Sequence, residues 1–333
     1  MMSGTTALLK DCGELASTDE RLHPDGVTWS NGKVQYQKIE LADKSWMDEL
    51  FAVEGRDSLE YNFTNSFVWR HIYKLRVARM GDRLLMLSDP ENPSFLFPPG
   101  RGALQPVLEQ MAEDSRAAGV PLRFHTVLAQ DKEWLEDAYP GRFVFESYRD
   151  GEDYVYETER LATLKGKKLS AKRNHINRFV ENHPDWRYEP LTRDNREEAR
   201  QMNLAWCAEA RLRQKSDLNG EYCAVDQALR YFEALGLSGG LIRTGGKVVA
   251  FSIGDPLNGD TFLVHFEKAF ADIQGAYPMI NQQFVIHNCM EYAYVNREDD
   301  TGVEGLRKAK LSYDPHHLVE KYVATLKGER LNP

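Results

Sequence analysis

Two side chains that could remove a proton stand near the end of an apolar strand segment. His265 and Glu267 alternate along the chain here, so a continuous strand would put both on one face. Transfer of an acyl group to an amine or a hydroxyl is helped by a base that takes the nucleophile's proton. We therefore name both as candidate catalytic residues, with Tyr277 as a candidate proton donor to the leaving group. The alternative is structural for all three: a hydrogen-bonded strand histidine, a carboxylate at the rim, and a buried tyrosine that only hydrogen-bonds.

A second group consists of three cations in the segment 305–312, namely Arg307, Lys308 and Lys310. If this segment is extended, Lys308 and Lys310 point the same way and could bind a phosphate or a carboxylate through two ammonium groups. The alternative is a surface loop whose cations pair with neighbouring carboxylates.

A basic segment lies at 164–179, where six cations occur without an acidic residue. On a helix over 165–178 these cations would form a face that binds the phosphates of tRNA. We name Lys168, Lys172 and Arg173 as the candidate phosphate contacts. The alternative is a solvated linker helix with no ligand.

The elements that must position these residues are a strand, a glycine turn and a helix. The apolar run 261–266 predicts a buried strand, and Pro278 is typical of the first residue of a helix. Free N–H groups and the helix dipole favour an anion at such a helix start, so Gln274 and Gly275 are candidate ligands of a donor phosphate. The same kind of turn also joins strands to helices where no ligand binds.

One cavity is predicted from this arrangement. Asn281 lies one helical turn after Tyr277, so both can face the same opening. If a final strand returns beside this helix, it brings Lys308 and Lys310 to the same opening. We therefore predict a cavity lined by these four residues.

Three motifs in the last third of the chain belong together. They are Gly275-Ala276-Tyr277-Pro278-x-x-Asn281, Asn296-Arg297-Glu298-Asp299 and Gly305-Leu306-Arg307-Lys308-Ala309-Lys310-Leu311-Ser312-Tyr313. Together they resemble the C-terminal domain of phosphatidylglycerol lysyltransferases, and most closely the soluble uncharacterised proteins grouped with that domain. The resemblance begins at about Gln35 and is most specific in these motifs.

This resemblance implies both a fold and a chemistry. It implies two tandem GNAT-like domains, as in the Fem-type peptidoglycan aminoacyltransferases, whose acyl donor is aminoacyl-tRNA. The wider GNAT superfamily implies acyl-CoA as the donor instead. The resemblance also implies a set of substrate-binding residues: Asn281, Asn296, Arg307, Lys308, Lys310 and Tyr313.

The order of the predicted elements divides the chain into two domains. Hairpin signals at Gly81-Asp82 and Gly245-Gly246 each belong to a run of strands followed by helices. We predict an α/β (α+β) fold of two tandem GNAT-like acyltransferase domains with mixed, mainly antiparallel sheets. A loosely ordered arm is expected over 1–33, an N-terminal domain over 34–160 and a C-terminal domain over 161–333.

Composition narrows the class of protein. A length of 333 residues suits two domains, and a net charge of −9 argues against a surface that binds nucleic acid throughout. Scattered cysteines predict reduced thiols in a cytoplasmic protein; they are Cys12, Cys207, Cys223 and Cys289. No window is long and apolar enough for a transmembrane helix. No metal site and no tightly bound cofactor is predicted, because the pair His316-His317 has no third ligand nearby.

These features predict a cytoplasmic acyltransferase-like enzyme. It would transfer an aminoacyl group from aminoacyl-tRNA, or an acyl group from acyl-CoA, to an amine or hydroxyl of a small molecule, lipid or peptide. The partner expected from the basic segment is tRNA. The alternative is a non-catalytic protein that binds a small ligand or tRNA on the same fold. The sequence leaves the donor, the acceptor and the oligomeric state open.

Overall fold

The computed structural model describes residues 27–28, 33–90, 92–213, 219–328 and 331, and it divides into two compact units. Among these residues, the N-terminal unit runs to Glu152 and also contains the chain from Val319 onward. The C-terminal unit is Asp153–Leu318. The chain therefore divides at two points, whereas the sequence predicted a single boundary after residue 160. Nearly all of the arm expected over 1–33 lies outside the described residues.

Within the described residues, the N-terminal unit contains the first seven strands and four α-helices. The strands are β1 (Val27–Thr28), β2 (Gln35–Lys38), β3 (Arg76–Met80), β4 (Arg83–Ser88), β5 (Ser94–Leu96), β6 (Arg123–Leu128) and β7 (Phe143–Ser147). The helices are α1 (Lys44–Ala52), α2 (Phe63–Trp69), α3 (Gln105–Ala117) and α4 (Ala129–Ala138). Short 3₁₀ turns occur at Leu41–Asp43, Leu59–Tyr61 and Arg149–Gly151.

In the part of the chain that the structure describes, the C-terminal unit contains the next seven strands and seven α-helices. The strands are β8 (Asp153–Glu157), β9 (Arg187–Pro190), β10 (Ser238–Thr244), β11 (Lys247–Pro256), β12 (Thr261–Ala269), β13 (Tyr294–Asn296) and β14 (His317–Val319). The helices are α5 (Thr158–Thr163), α6 (Ser170–Asn182), α7 (Arg196–Arg213), α8 (Asn219–Arg230), α9 (Phe232–Leu235), α10 (Ala276–Asn288) and α11 (Glu304–Leu311).

Each unit is organised around one mixed sheet. The N-terminal sheet has the order β1-β2-β3-β4-β5-β6-β15-β7, with β5 parallel to β6. Its strand β15 (Lys321–Leu326) comes from the end of the chain and pairs antiparallel with both β6 and β7. The C-terminal sheet has the order β14-β8-β13-β12-β11-β10-β9, with β12 parallel to β13. The predicted fold class of an α/β chain with two mixed, mainly antiparallel sheets is confirmed.

Helix α10 covers the middle of the C-terminal sheet, and apolar residues explain its position. Its residues Met279, Ile280 and Phe284 are buried in one core cluster with strand residues such as Phe262 and Val264. Because α10 is apolar over much of its circumference, it packs both on β10–β12 and against the helices α5 and α6.

The local predictions that rest on glycine-containing turns agree with the structure. Gly81-Asp82 joins β3 to β4, and Gly245-Gly246 joins β10 to β11, as the hairpin signals predicted. The extended conformation predicted for 305–312 is wrong, because Glu304–Leu311 forms helix α11. The helix predicted over 165–178 begins only at Ser170.

The expectation of four reduced thiols is also corrected. Cys207 and Cys289 are free and buried, but Cys223 is disulfide-bonded. Cys12 lies outside the described residues. None of the described helices combines the length and the hydropathy that crossing a bilayer requires.

Candidate functional site

A β-bulge in β12 aims Glu267 at α10. Phe266 pairs with Ile253 of β11, but the next pair is Val264 with Gly254, so β12 contains one extra residue, His265. Residues three positions apart on a regular strand face opposite sides. With the extra residue, Val264 and Glu267 both face α10, because Val264 packs in its core cluster and Glu267 hydrogen-bonds to it.

The Glu267 carboxylate is held from two sides. Asn281 on α10 donates its Nδ2–H to Oε2 of Glu267 at 2.9 Å. Arg297, which directly follows β13, donates from Nη2 to Oε1 at 3.0 Å. Strands β12 and β13 pair only as far as Leu263 and Asn296, so this ion pair spans the region where the two strands no longer hydrogen-bond to each other.

Three polar atoms next to this carboxylate have no hydrogen-bonding partner among the described residues. They are Oδ1 of Asn281, Nη1 of Arg297 and Oγ of Ser252, and all three atoms are buried. Ser252 lies directly opposite Glu267 in the β11–β12 register. A buried polar atom without a partner costs about 1–3 kcal/mol. One donor, one acceptor and one hydroxyl around a single carboxylate therefore form a set suited to a polar ligand.

Two tyrosine rings and a lysine complete the centre. The guanidinium of Arg297 lies 4.6 Å from the ring centroid of Tyr313 and 5.5 Å from that of Tyr156. Lys172 on α6 places its Nζ 4.0 Å from the Tyr313 ring. Burial and the nearby Arg297 lower the pKa of Lys172 to about 8, against the attraction of Glu267. We call these residues, with Glu267, Asn281 and Ser252, the Glu267 centre.

The remaining catalytic candidates lie outside this hydrogen-bonded set. His265 hydrogen-bonds to Asp255 and Glu298 and is buried. Tyr277 accepts a hydrogen bond of 3.2 Å from Nε1 of Trp206 on α7. Burial raises the pKa of Tyr277 to about 12, so its hydroxyl keeps its proton at neutral pH.

The cavity predicted from Tyr277, Asn281, Lys308 and Lys310 does not form. Lys308 is 74% exposed and pairs with Glu304 one turn earlier on α11. Lys310 is buried and donates to the backbone carbonyls of Arg297 (2.5 Å) and Asp299. The two ammonium groups diverge because residues two apart on a helix point in different directions, whereas on the predicted strand they would have been parallel.

Other predicted substrate contacts are engaged within the protein. Arg307 makes a bidentate pair with Asp300, with nitrogen–oxygen distances of 2.8 and 2.7 Å. Asn296 donates to Asp153 at 3.0 Å and accepts from the N–H of Glu298 at 2.7 Å. These contacts hold the chain in place immediately before and after Arg297.

The five predicted phosphate contacts differ in their surroundings. Gln274 is exposed, whereas a Cβ at Gly275 would lie 2.3 Å from the carbonyl oxygen of His175, so α6 occupies the space beside that glycine. Lys168 pairs with Asp314 at 2.9 Å. Arg173 donates to the backbone carbonyls of Leu164 and Gly166. Lys172 makes neither a salt bridge nor a side-chain hydrogen bond within the described residues.

The family model for phosphatidylglycerol lysyltransferase, C-terminal, matches residues 51–325 of the chain. The chain belongs to this family. The resemblance stated from the three motifs is thereby confirmed. Both the family and the fold of this chain are those of acyltransferase-like proteins.

The chain is also similar to solved structures and to a curated relative. A conserved protein of unknown function from Bacteroides thetaiotaomicron VPI-5482 is 40% identical, with a TM-score of 0.84 over 88% of this chain and 100% of that chain. L-PGS from Bacillus licheniformis is 18% identical, with a TM-score of 0.55 over 86% of this chain and 91% of that chain, and so shows the fold. The uncharacterized protein MYCGA3080 of Mycoplasmoides gallisepticum is 25% identical over 202 residues, which are 57% of this chain and 60% of that relative. The match with this curated relative thus spans about 60% of its length.

Three members of the Glu267 centre were missed as site residues in the sequence. Arg297 stood inside one of the three family motifs, and that membership was the available signal. Tyr156 and Ser252 carried no signal, because each is an ordinary strand residue whose proximity to Glu267 arises only from sheet pairing.

Proposed function

We propose that the Glu267 centre transfers an aminoacyl group from aminoacyl-tRNA to a hydroxyl or amine acceptor. The observation that carries the proposal is the complementary pair of buried atoms beside Glu267: the Nη1 donor of Arg297 and the Oδ1 acceptor of Asn281. An α-aminoacyl ester offers the matching groups, a carbonyl oxygen that accepts and an α-ammonium that donates. An acetyl thioester offers only the carbonyl, so this pair favours the aminoacyl donor.

Four residues of the centre have a role in this reaction. The acceptor's hydroxyl or amine attacks the ester carbonyl, the bond to the ribose oxygen breaks, and the tRNA leaves with a free hydroxyl. Arg297 donates to the carbonyl oxygen as negative charge develops on it. The carboxylate of Glu267 keeps Arg297 and Asn281 in place and attracts the α-ammonium. Lys172 takes the proton of the acceptor, since a group that titrates near 8 is partly neutral at neutral pH.

The basic segment extends the proposal to the rest of the donor. Lys172 reaches the centre from α6, and Lys168 and Arg173 lie on either side of it in sequence. We assign Lys168 and Arg173 to the phosphates nearest the aminoacyl ester. Lys172 instead passes the acceptor's proton on to the leaving ribose oxygen. The acceptor would be a small molecule, a lipid or a peptide, and the protein would work in the cytoplasm, where aminoacyl-tRNA is made.

The test measures binding and transfer separately. Calorimetry with a non-hydrolysable aminoacyl-adenosine amide is compared with acetyl-CoA and with the same adenosine amide carrying an N-acetylated amino acid. We expect only the free aminoacyl compound to bind, and Asn281→Leu to weaken its binding by about tenfold, the size of one hydrogen bond to a charged group. Lys308→Ala is the matched control and should bind as the unaltered protein does.

Transfer is followed with radiolabelled lysyl-tRNA and alanyl-tRNA and with vesicles, amines or peptides as acceptors. Release of label to an acceptor, abolished by Arg297→Met, is the expected outcome. Binding of acetyl-CoA in preference to the aminoacyl compound would overturn the choice of donor. Aminoacyl binding with no transfer or hydrolysis would instead establish the non-catalytic alternative.

A further inference from the structure

His265 forms a buried bridge between two carboxylates. Its Nε2 lies 2.9 Å from Oδ1 of Asp255 on β11, and its Nδ1 lies 3.1 Å from Oε1 of Glu298. The imidazole side chain is 1% exposed. Carboxylates only accept hydrogen bonds, so both ring nitrogens must carry a proton for both bonds to exist. The geometry is therefore that of an imidazolium, which has no lone pair to act as a base.

The carboxylate of Glu298 belongs to the residue that follows Arg297. Glu298 has a backbone φ of +55°, a left-handed conformation that an L-residue adopts at a cost of about 1 kcal/mol or more and keeps only when its surroundings hold it. Its N–H bonds to Asn296 and its carbonyl accepts from the N–H of Tyr154. The side chain is held by His265, so the imidazolium fixes the turn from which Arg297 reaches Glu267.

We propose that His265 is a positioning residue, which holds Arg297 against Glu267 through the carboxylate of Glu298. The β-bulge connects His265 to the other member of the ion pair as well. His265 is the extra residue of β12, and the same insertion aims Glu267 at α10. His265 thus determines the position of both members of the Glu267–Arg297 pair. As the extra residue of the bulge it directs the Glu267 carboxylate towards α10, and through Glu298 it holds the turn that carries the Arg297 guanidinium.

Other charged groups around this turn determine how it responds to pH. Lys310 of α11 lies against the carbonyls of Arg297 and Asp299. Its pKa is lowered to about 8, by burial above all and by Arg297, while Glu298, Asp299 and Asp153 oppose this effect. Burial also opposes charging of His265, but Asp255 and Glu298 outweigh it and raise the pKa to about 9. Both cations therefore titrate in a similar range, and an experiment must separate them.

The first test needs no substrate, so its outcome is independent of the proposed function. Ring Cε1–H resonances of the nine histidines are followed by NMR between pH 6 and 10, and the His265 signal is assigned by its loss in His265→Gln. We expect the midpoint of this ring to lie well above 6.5, the ordinary value for histidine, and we expect Glu298→Gln and Asp255→Asn each to lower it. A ring that is neutral at pH 7 would overturn the proposal.

The second test connects the bridge to Arg297. The Nε–H resonance of Arg297 and the affinity for the aminoacyl-adenosine amide are measured against pH in the unaltered protein, His265→Gln and Glu298→Gln. We expect the affinity of the unaltered protein to fall as His265 loses its proton, and the change due to His265 to be absent from both variants while that due to Lys310 remains. Both variants should bind about tenfold more weakly at pH 7, an effect the size of one charge-assisted hydrogen bond.

If His265→Gln does not fold, Glu298→Gln still tests the proposal. The side chain of Glu298 is partly exposed, so its substitution should disturb folding less than that of the buried His265. Unchanged Arg297 resonances in either folded variant would show that the bridge does not position the guanidinium. If the resonances shift but no aminoacyl compound binds to the unaltered protein, the positioning role stands and the proposed function fails.

Discussion

Glu267 and Arg297 form an ion pair with an Oε1–Nη2 distance of 3.0 Å, and their side chains are only 12% and 10% exposed. Removing one member of a buried pair leaves the other charge uncompensated. We expect Glu267→Gln to lower the free energy of unfolding by about 2–4 kcal/mol, measured by urea denaturation. The matched control is Glu304→Gln, whose exposed carboxylate pairs with Lys308 and should change stability by less than about 0.5 kcal/mol. Equal effects in the two variants would contradict the burial argument.

Gly275 should not tolerate a side chain. Its φ is +89°, and an added Cβ would lie 2.3 Å from the carbonyl oxygen of His175 and 2.9 Å from Cβ of Phe179. Gly275→Ala should therefore displace α6 and destabilise the protein by about 2 kcal/mol or more in thermal or urea unfolding. Gly305→Ala on α11 meets no atom within 4 Å and should stabilise by about 0.5–1 kcal/mol through helix propensity. A neutral Gly275→Ala would show that α6 can move away at little cost.

Substitutions of the two lysines of α11 should differ sharply in their effect on the free energy of unfolding. Lys310→Met removes the donor for the carbonyls of Arg297 and Asp299, and each carbonyl left without a partner costs about 1–3 kcal/mol. Lys308→Met changes an ammonium that is 74% exposed and should leave the unfolding free energy nearly unaltered. Circular dichroism during urea denaturation gives both values. A Lys308→Met protein that is destabilised as much as Lys310→Met would refute the assignment of Lys310 to the turn.

Stability should decline as the pH rises above neutrality. The pKa of His265 is raised from 6.5 to about 9, because Asp255 and Glu298 outweigh the effect of burial, so the folded protein binds more protons than the unfolded chain between these values. The resulting stabilisation is complete below pH 6.5 and is lost by pH 9, a change on the order of 3 kcal/mol.

Lys310 acts in the opposite direction. Its pKa is lowered from 10.5 to about 8, chiefly by burial, so its contribution to stability rises between these values. His265→Gln should therefore abolish the decline above neutrality and leave the rise due to Lys310 and to Lys172, whose pKa is lowered to about 8 as well, chiefly by burial. A series of urea titrations from pH 6 to 10 would detect this change. A decline that persists in His265→Gln would have to come from another group.

Lys172 should matter more for transfer than its basic neighbours. It is the proposed base and makes no salt bridge among the described residues, whereas Lys168 is paired with Asp314 and Arg173 is bonded to backbone carbonyls. Lys172→Ala should lower the rate of transfer from saturating aminoacyl-tRNA by about a hundredfold or more, the contribution of a positioned base. Lys168→Ala should leave this rate nearly unchanged. A normal transfer rate in Lys172→Ala would remove this lysine from proton transfer.

Periodicity and turn chemistry predicted the two-sheet fold, since hairpin glycines and apolar runs are local signals. The motif around Gly275 and Asn281 also led to the correct helix. The bulge at His265 was not predictable, because one extra residue in a strand leaves its apolar pattern nearly intact. Nor could the sequence distinguish Lys172 from Lys168, because the difference lies in Tyr313, a ring that only the folded chain brings near α6. Helix α11 was misassigned because its cations were interpreted as a ligand-binding strand.

Strand β15 is translated after the entire C-terminal unit, so the N-terminal sheet can be completed only after that unit has been made. The gap between β6 and β7 in the N-terminal sheet is filled by residues that follow the whole C-terminal unit in the chain. At typical elongation rates, the ribosome needs roughly 10–30 s to make the intervening segment of about 165 residues. During that interval the facing edges of β6 and β7 lack their partner, and Glu60 lacks the ammonium of Lys321. The unit that is synthesised first therefore completes its sheet only after the other unit has been made, and in the cell its unpaired edges must be kept from associating with other chains until β15 has been translated.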